Sequence, residues 1–383
     1  MAKILYIQER IKNKAGMERI LTAKINYLAE HTTHCLYLLT YDQGNSTLSF
    51  KLNDRVQHIA IANTIPWRQH GRSTFKWLKE YFHARNLFRS NYSKIIEQIH
   101  PDIAVCNVYS FPIIDLIIQI SLSQQIKTII ESHTQLKSTF ISHKFKYNKI
   151  LYFFSMEWDK LILQRISTTS CVVALTQQDA TDWKTFVKNV VVIPNFIPIN
   201  PIQVNDYSVK RVISAGRYSY EKGFDLLLQA WASIIKTRPE WELHIYGDGD
   251  RTIYFKSAKQ LDIYDSVFLH PSTSNIAKEY SESSVYIMSS RYEGFGLVLA
   301  EAMSCGLPCI SYDCPYGPRN IINDMEDGIL VENGNVKELA DALAFFMDNP
   351  QTRKEFGLKA AYNIKRFSKD SVMNKWIKLF DNL

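Results

Sequence analysis

The sequence predicts an α/β chain made of two parallel-sheet domains, and three observations carry that prediction. At 383 residues the chain is long for one core and comfortable for two. Near-continuous apolar runs alternate with helical patterns, as expected for parallel strands covered on both faces. The alternation then restarts past Pro194-Asn195-Phe196-Ile197-Pro198-Ile199-Asn200-Pro201, whose three prolines predict a stiff, extended linker.

In the first half, strands are expected at Ile4–Ile7, Cys35–Thr40, Val56–Ile61, Ile103–Asn107, Thr128–Glu131 and Cys171–Leu175. Helical spacing lies between several of them, including Met17–Ala29 and the long stretch from Thr74 to Ile99. In the second half, strands are expected at Arg211–Ala215, Glu242–Tyr246, Val267–Leu269, Val285–Met288, Cys309–Ser311 and Ile329–Val331. The pattern describes two Rossmann-like domains, 1–195 and 202–368, facing each other across a cleft. In such sheets ligands collect at the carboxyl ends of the strands.

Composition excludes several classes. A hydrophobic content of 46%, with few glycines and prolines, argues against disorder. The opening run from Met1 to Arg10 is a first strand and not a secretory signal. No segment approaches the roughly 18 apolar residues that cross a bilayer; Phe111 to Leu122 is broken by Asp115 and Gln119. Six scattered cysteines without a CxxC pair indicate neither zinc nor a disulfide framework, so reduced thiols and a cytoplasmic location are expected. Charge is uneven. Residues 1–200 hold 24 Lys+Arg against 14 Asp+Glu, and residues 201–383 hold 21 against 24. The basic half suits an anionic surface or substrate, although solvated lysines alone would give the same count.

The most informative stretch runs Arg291-Tyr292-Glu293-Gly294-Phe295-Gly296-Leu297-Val298-Leu299-Ala300-Glu301-Ala302-Met303-Ser304-Cys305-Gly306-Leu307-Pro308. Tyr286 to Ser290 before it is an apolar strand; Leu297 to Cys305 has helical spacing, stopped by Gly306 and Pro308. The sequence therefore goes strand, glycine turn, helix N-terminus, where free N–H groups favour an anion. Glu293 precedes the helix and Glu301 lies within it. One carboxylate suits a sugar, the other the hydroxyls of a ribose. An isolated glutamate pair would be no more than a helix start with surface acids, but the glycines argue otherwise.

This stretch resembles the nucleotide-sugar site of retaining glycosyltransferases of family 4, which have the GT-B fold and carry Glu, seven residues, Glu at this point. The resemblance spans about Val212 to Phe367 and is weaker in the first half. It implies that Gly294, Phe295, Gly296 and Leu297 line the donor site. It also implies that the last helix, about 369–383, packs back on the first domain.

Ala215-Gly216-Arg217-Tyr218-Ser219-Tyr220-Glu221-Lys222-Gly223 follows the first strand of the second domain. Arg217 offers a planar fork to phosphate and Lys222 a compact charge, enough to neutralise a diphosphate without a metal. The family binds its donor diphosphate with Arg and Lys at this place. Tyr246-Gly247-Asp248-Gly249-Asp250 is similar to the family's next glycine turn and supports architecture only. Leu269 to Ile276 stands where family members flank the base. Here Pro271 replaces a frequent glycine and lacks an N–H, leaving Ser272 and Ile276 as candidates. Tyr312 to Ile322 looks like the Pro-x-Gly-Pro segment of polysaccharide-assembling members, with Arg319 and Asn320 near the cleft.

In the first domain Glu131-Ser132-His133-Thr134 closes a strand. The resemblance assigns His133 to the donor sugar, whereas a lone histidine is more often structural. Lys14-Ala15-Gly16 is similar to the family's glycine-rich first turn, and Gly16 would let the backbone approach the donor. From Phe140 to Ile166, and again from Trp67 to Tyr92, basic residues alternate with aromatics. That mixture suits a membrane interface or a lipid-linked acceptor, and equally an amphipathic helix packed on the sheet. No nucleic-acid motif accompanies it.

The resulting expectation is a retaining, metal-independent glycosyltransferase with no cofactor. It takes a nucleotide-diphosphate sugar, UDP-linked by preference, and delivers it to a growing or lipid-linked glycan in surface polysaccharide biosynthesis. Peripheral contact with an anionic membrane, on its inner face, is expected too. Catalysis would rest on Glu293, Arg217, Lys222 and His133, and Glu301 would hold the ribose. Two alternatives stand beside this expectation. A dinucleotide-dependent oxidoreductase would want Gly-x-Gly-x-x-Gly after the first strand, which Gln8 to Gly16 lacks. A non-catalytic sugar-nucleotide-binding protein would not need all four charged residues.

Overall fold

The computed structural model describes residues 1–12, 16–44, 46–61, 74–107, 111–133, 136, 149–203 and 206–383, with backbone alone at 74–78, 111–112, 149–151 and 154. The chain divides into one unit of Met1–Pro194 with Met373–Leu383, and a second of Asn195–Val372.

The first unit holds β1 (Lys3–Gln8), α1 (Gly16–His31), β2 (Cys35–Thr40), β3 (Val56–Ala60), α2 (Thr74–Ile99), β4 (Ile103–Asn107) and α3 (Phe111–Ser123). It continues with β5 (Lys127–Ser132), α4 (Lys149–Ile166), β6 (Cys171–Ala174), α5 (Gln177–Trp183) and β7 (Val190–Val192). All seven strands pair in parallel, in the order β3-β2-β1-β4-β5-β6-β7. The central strands are buried almost end to end, which is why β1 reads Ile-Leu-Tyr-Ile instead of alternating. Strand β7 was not expected. Its three valines favour a strand, but three residues are too few to register as a periodic element.

The second unit runs β8 (Arg211–Ala215), α6 (Phe224–Ile234), β9 (Glu242–Tyr246), α7 (Thr252–Gln260), β10 (Val267–His270), α8 (Ile276–Ser281) and β11 (Val285–Met288). After these come α9 (Leu297–Ser304), β12 (Cys309–Tyr312), β13 (Gly328–Val331), α10 (Val336–Asp348) and α11 (Pro350–Asn363). Its six strands are parallel in the order β10-β9-β8-β11-β12-β13. Successive strands add outward from β8 on one side and from β11 on the other, so β8 and β11 flank the switch point. The proline-rich segment is not a free spacer: Phe196 is buried and the Ile197 N–H donates to Phe367 O, which is why the second unit begins at Asn195.

The last helix, α12 (Lys369–Asp381), enters the first unit at Met373. There Trp376 stacks with Phe380, and Phe380 meets His34 edge-on.

Candidate active site

In an open parallel sheet the crevice for a ligand lies beyond the carboxyl ends of the strands at the switch point. In the second unit the loop after β8 and the loop after β11 both leave the sheet there, and they carry the two charged motifs.

The loops are bound into one piece. The Arg291 N–H donates to Glu221 O at 2.8 Å, and Ser289 Oγ donates to Lys222 O at 2.9 Å. The Arg291 guanidinium grips both Asp225 oxygens at 2.9 and 2.7 Å, donates to Tyr220 O, and lies 4.0 Å from the Tyr220 ring centre. Bonding from that guanidinium holds the Asp225 carboxyl below its ordinary range. Gly223, at φ 61°, caps α6 so closely that a Cβ would sit 2.1 Å from Ser289 O. Arg291 opens the two-glutamate motif, but its partner is 66 positions away, so sequence reasoning missed its role.

Lys222 Nζ lies 2.6 Å from Glu293 Oε1, and Ser290 Oγ donates to the same oxygen at 2.7 Å. The sequence reading gave Lys222 and Glu293 separate tasks; here they are partners. Arg217 is exposed and forms no hydrogen bond or ion pair among the described residues. Gly247 to Gly249 serves architecture: Gly216 N–H donates to Tyr246 O and Tyr218 N–H to Asp248 O, bracing the Arg217 loop.

Gly294 and Leu297 are half-buried, and Gly296 is the residue from which α9 starts. Two of the candidates are buried. The Phe295 side chain is 3% exposed and meets Phe367 edge-on, so it belongs to the core and only its backbone can face a ligand. Glu301 is 1% exposed inside α9. Ser272 is exposed and bonded to Asp248, while Ile276 is the half-buried first residue of α8. Arg319 and Asn320 brace their own turn, Arg319 on Asp313 and Asn320 on Tyr316 O. Gly317 packs against the glutamate turn; a Cβ there would lie 2.8 Å from both Glu293 Cβ and Phe295 O.

In the first unit, His133 follows β5, and its Nε2 lies 3.1 Å from Glu131 Oε2. Glu131 accepts from Lys24 Nζ at 2.5 and 2.6 Å, with both residues buried. Burial pushes the Glu131 carboxyl up, but the Lys24 charge and the bonds from His133 and Lys24 prevail and hold it at about 2. Lys24 itself is pulled down by burial, partly offset by Glu131. Gln8, Met17, Asn107, Glu131 and His133 line a small recess at the ends of β1, β4 and β5. Gly16 is the half-buried first residue of α1. Lys14, Ala15, Thr134, Trp67, Lys137, Phe140, Lys144, Phe145, Lys146 and Tyr147 lie outside the described residues, as does the Lys149 side chain.

Residues 200–362 match the family described as glycosyl transferases group 1. The match spans less than half of the chain, so the likeness to group 1 glycosyltransferases is that of the second unit. A Haemophilus influenzae protein described as an uncharacterized glycosyltransferase is 25% identical over 98% of this enzyme and 99% of its own length. A poly(ribitol-phosphate) alpha-N-acetylglucosaminyltransferase of Staphylococcus aureus is 30% identical over 58% of this chain, which covers only 46% of that relative. Among solved structures TarM matches with a TM-score of 0.79 at 19% identity, over 99% of both chains. A variant of S. aureus TarM solved with fondaparinux, alpha-GlcNAc-glycerol and UDP matches at 0.76 and 18% identity, over 99% of this chain and all of that one. These likenesses establish the GT-B fold of the glycosyltransferase. The family match sets aside the oxidoreductase alternative. No helix among the described residues is long and apolar enough to cross a membrane.

Proposed function

We propose that this enzyme is a retaining, metal-independent glycosyltransferase that moves a sugar from a UDP-sugar to a growing or lipid-linked glycan. The observation that carries the reading is the locked pair of loops at the second unit's switch point, where Lys222 meets Glu293 and the loop that bears Lys222 also bears Arg217. In the transfer, the bond from the sugar's anomeric carbon to the diphosphate breaks as the acceptor oxygen bonds to that carbon on the same face. The acceptor's proton passes to the departing phosphate oxygen. The charge that develops is on the diphosphate, and Arg217 and Lys222, with the amides leading into α9, stabilise it electrostatically. Glu293 contacts the sugar, Glu301 accepts from the ribose, and His133 serves the sugar-transfer step. Ser272 and Ile276 flank the base, while Gly16 admits the phosphate or the acceptor.

The UDP preference draws on the TarM complex, and the glycan acceptor on the polymer named for the S. aureus relative. Peripheral contact with the cytoplasmic face of a membrane draws on Phe82, Leu87, Tyr152, Phe153 and Leu161, apolar side chains 39% to 62% exposed on α2 and α4.

A panel of UDP- and GDP-sugars, scored by thermal stabilisation and then by transfer with and without EDTA, tests the reading. A donor at a hundredfold excess over its dissociation constant adds about 2.7 kcal/mol of stability. UDP-sugars should stabilise, and transfer should survive EDTA. Transfer that EDTA abolishes and manganese restores would refute metal independence.

A further inference from the structure

A histidine that works on a substrate needs a fixed ring and a defined tautomer, and both come from the hydrogen bond its other nitrogen makes. In this chain that bond goes to Glu131. A carboxylate held at about 2 is ionised and can only accept, so the proton on the His133 nitrogen facing it sits on Nε2. The other nitrogen, Nδ1, makes no hydrogen bond among the described residues. It is left as the working atom of the ring.

Glu131 in turn does not stand alone. Both of its oxygens accept from Lys24, a fully buried lysine reaching across from α1. The Lys24 ammonium lies 4.1 Å from the Trp376 ring centre and 5.3 Å from that of Tyr6. Trp376 belongs to α12, so the returning C-terminal helix lids the ion pair. Such a pair is an expensive way to fill a core: its desolvation makes apolar residues of similar volume as good or better for stability. Its placement beside His133 gives it a use beyond packing.

We infer that Lys24 and Glu131 are positioning residues for the transfer reaction. The ion pair, covered by Trp376, fixes the His133 ring with Nε2–H on Glu131 and presents Nδ1 to a hydroxyl of the sugar or the acceptor. The inference rests on the role proposed above for His133.

The test compares Glu131→Gln, His133→Ala, their double variant, and the paired apolar replacement Lys24→Met with Glu131→Leu. Transfer is measured with the UDP-sugar that stabilises the wild-type chain, and imidazole nitrogen shifts of His133 are recorded by NMR. Glu131→Gln should lower kcat by about ten- to a hundredfold with little change in donor KM, the scale for losing the group that orients a working histidine. The double variant should be no worse than His133→Ala, because both changes remove one function. The apolar pair should melt as high as the wild type yet stay slow. Wild-type His133 should show the Nε2–H tautomer, and the apolar pair should lose that bias.

Recovery of turnover in the apolar pair would show the ion pair to be packing and would overturn the inference. So would wild-type kcat in Glu131→Gln. If His133→Ala is as fast as a wild type that does transfer sugar, the histidine's role and this inference fall together. If the wild type transfers sugar from no donor, the functional reading fails, and the tautomer alone decides here: absence of the Nε2–H form overturns the inference, and its presence with loss in the apolar pair supports it.

Discussion

Lys222 and Glu293 form a contact pair, Nζ to Oε1 at 2.6 Å, with side chains 18% and 11% exposed. The cation proposed for the diphosphate is therefore held by the carboxylate proposed for the sugar. Glu293→Gln keeps the shape and the bond from Ser290 but releases Lys222 toward phosphate. UDP should bind Glu293→Gln no more weakly than the wild type, while sugar transfer falls by about a hundredfold or more. Calorimetry with UDP alone, beside a transfer assay, checks this. Weakened UDP binding with intact transfer would give Glu293 to the nucleotide.

Gly317 bears on the same carboxylate from another loop. Its φ of −96° suits any residue, so only space forbids a side chain. The added methyl of Gly317→Ala would sit 2.8 Å from Glu293 Cβ and Phe295 O, and the glutamate turn must move. Overpacking of this kind costs about 1–3 kcal/mol. Denaturant melts should show that loss, and transfer should fall further than UDP affinity does. Unchanged transfer would mean that Glu293 tolerates displacement.

Much of this site was legible in the sequence because its chemistry is local. Arg217, Lys222 and Glu293 each sit beside a glycine that announces a strand-to-helix turn, Glu301 lies in the helix that one of these turns starts, and both turns fall at the switch point. What was not legible is who pairs with whom. Arg291 finds Asp225, and Lys24 finds Glu131 107 positions away. Lys24 stands in a helix whose pattern gives no sign that a charge turns inward, and nothing near it names a partner. Phe295 shows a related limit: nothing beside it in the glycine motif names the core residue it packs on, Phe367. The fold was easier, since buried parallel strands write continuous apolar runs, and only the three-residue β7 escaped.

Arg217 is the opposite case to Lys222. It is exposed and unpaired among the described residues, so Arg217→Ala should leave stability within about 0.5 kcal/mol of the wild type. Transfer should still drop by about a hundredfold, the cost of one electrostatic donor to the leaving group. A melting curve and a rate measured on the same preparation separate the two. A rate equal to the wild type would remove Arg217 from the site.

Asp179 gives a pH-dependent prediction about the segment that follows His133. It lies in the first turn of α5, 3% exposed, and accepts from the Leu136 N–H at 3.3 Å and from Ser132. Burial pushes its carboxyl up to about 6, and these bonds only partly oppose that. The sign follows from proton counting. Between the ordinary carboxylate value, about 3.9, and the raised one, the folded chain holds more protons than the unfolded chain. Stability therefore falls as pH rises through that window, and the full cost is present above about pH 6. Asp179→Asn removes the charge, keeps an acceptor for Leu136, and lets the Ser132 hydroxyl reverse its role. It should stabilise the protein by about 1–3 kcal/mol at pH 8, with the advantage disappearing near pH 4. Thermal melts of both proteins across pH 4–8 decide the matter. A variant that is less stable at every pH would show that the ionised carboxylate holds this segment in place and that its bonds outweigh the cost of burying it.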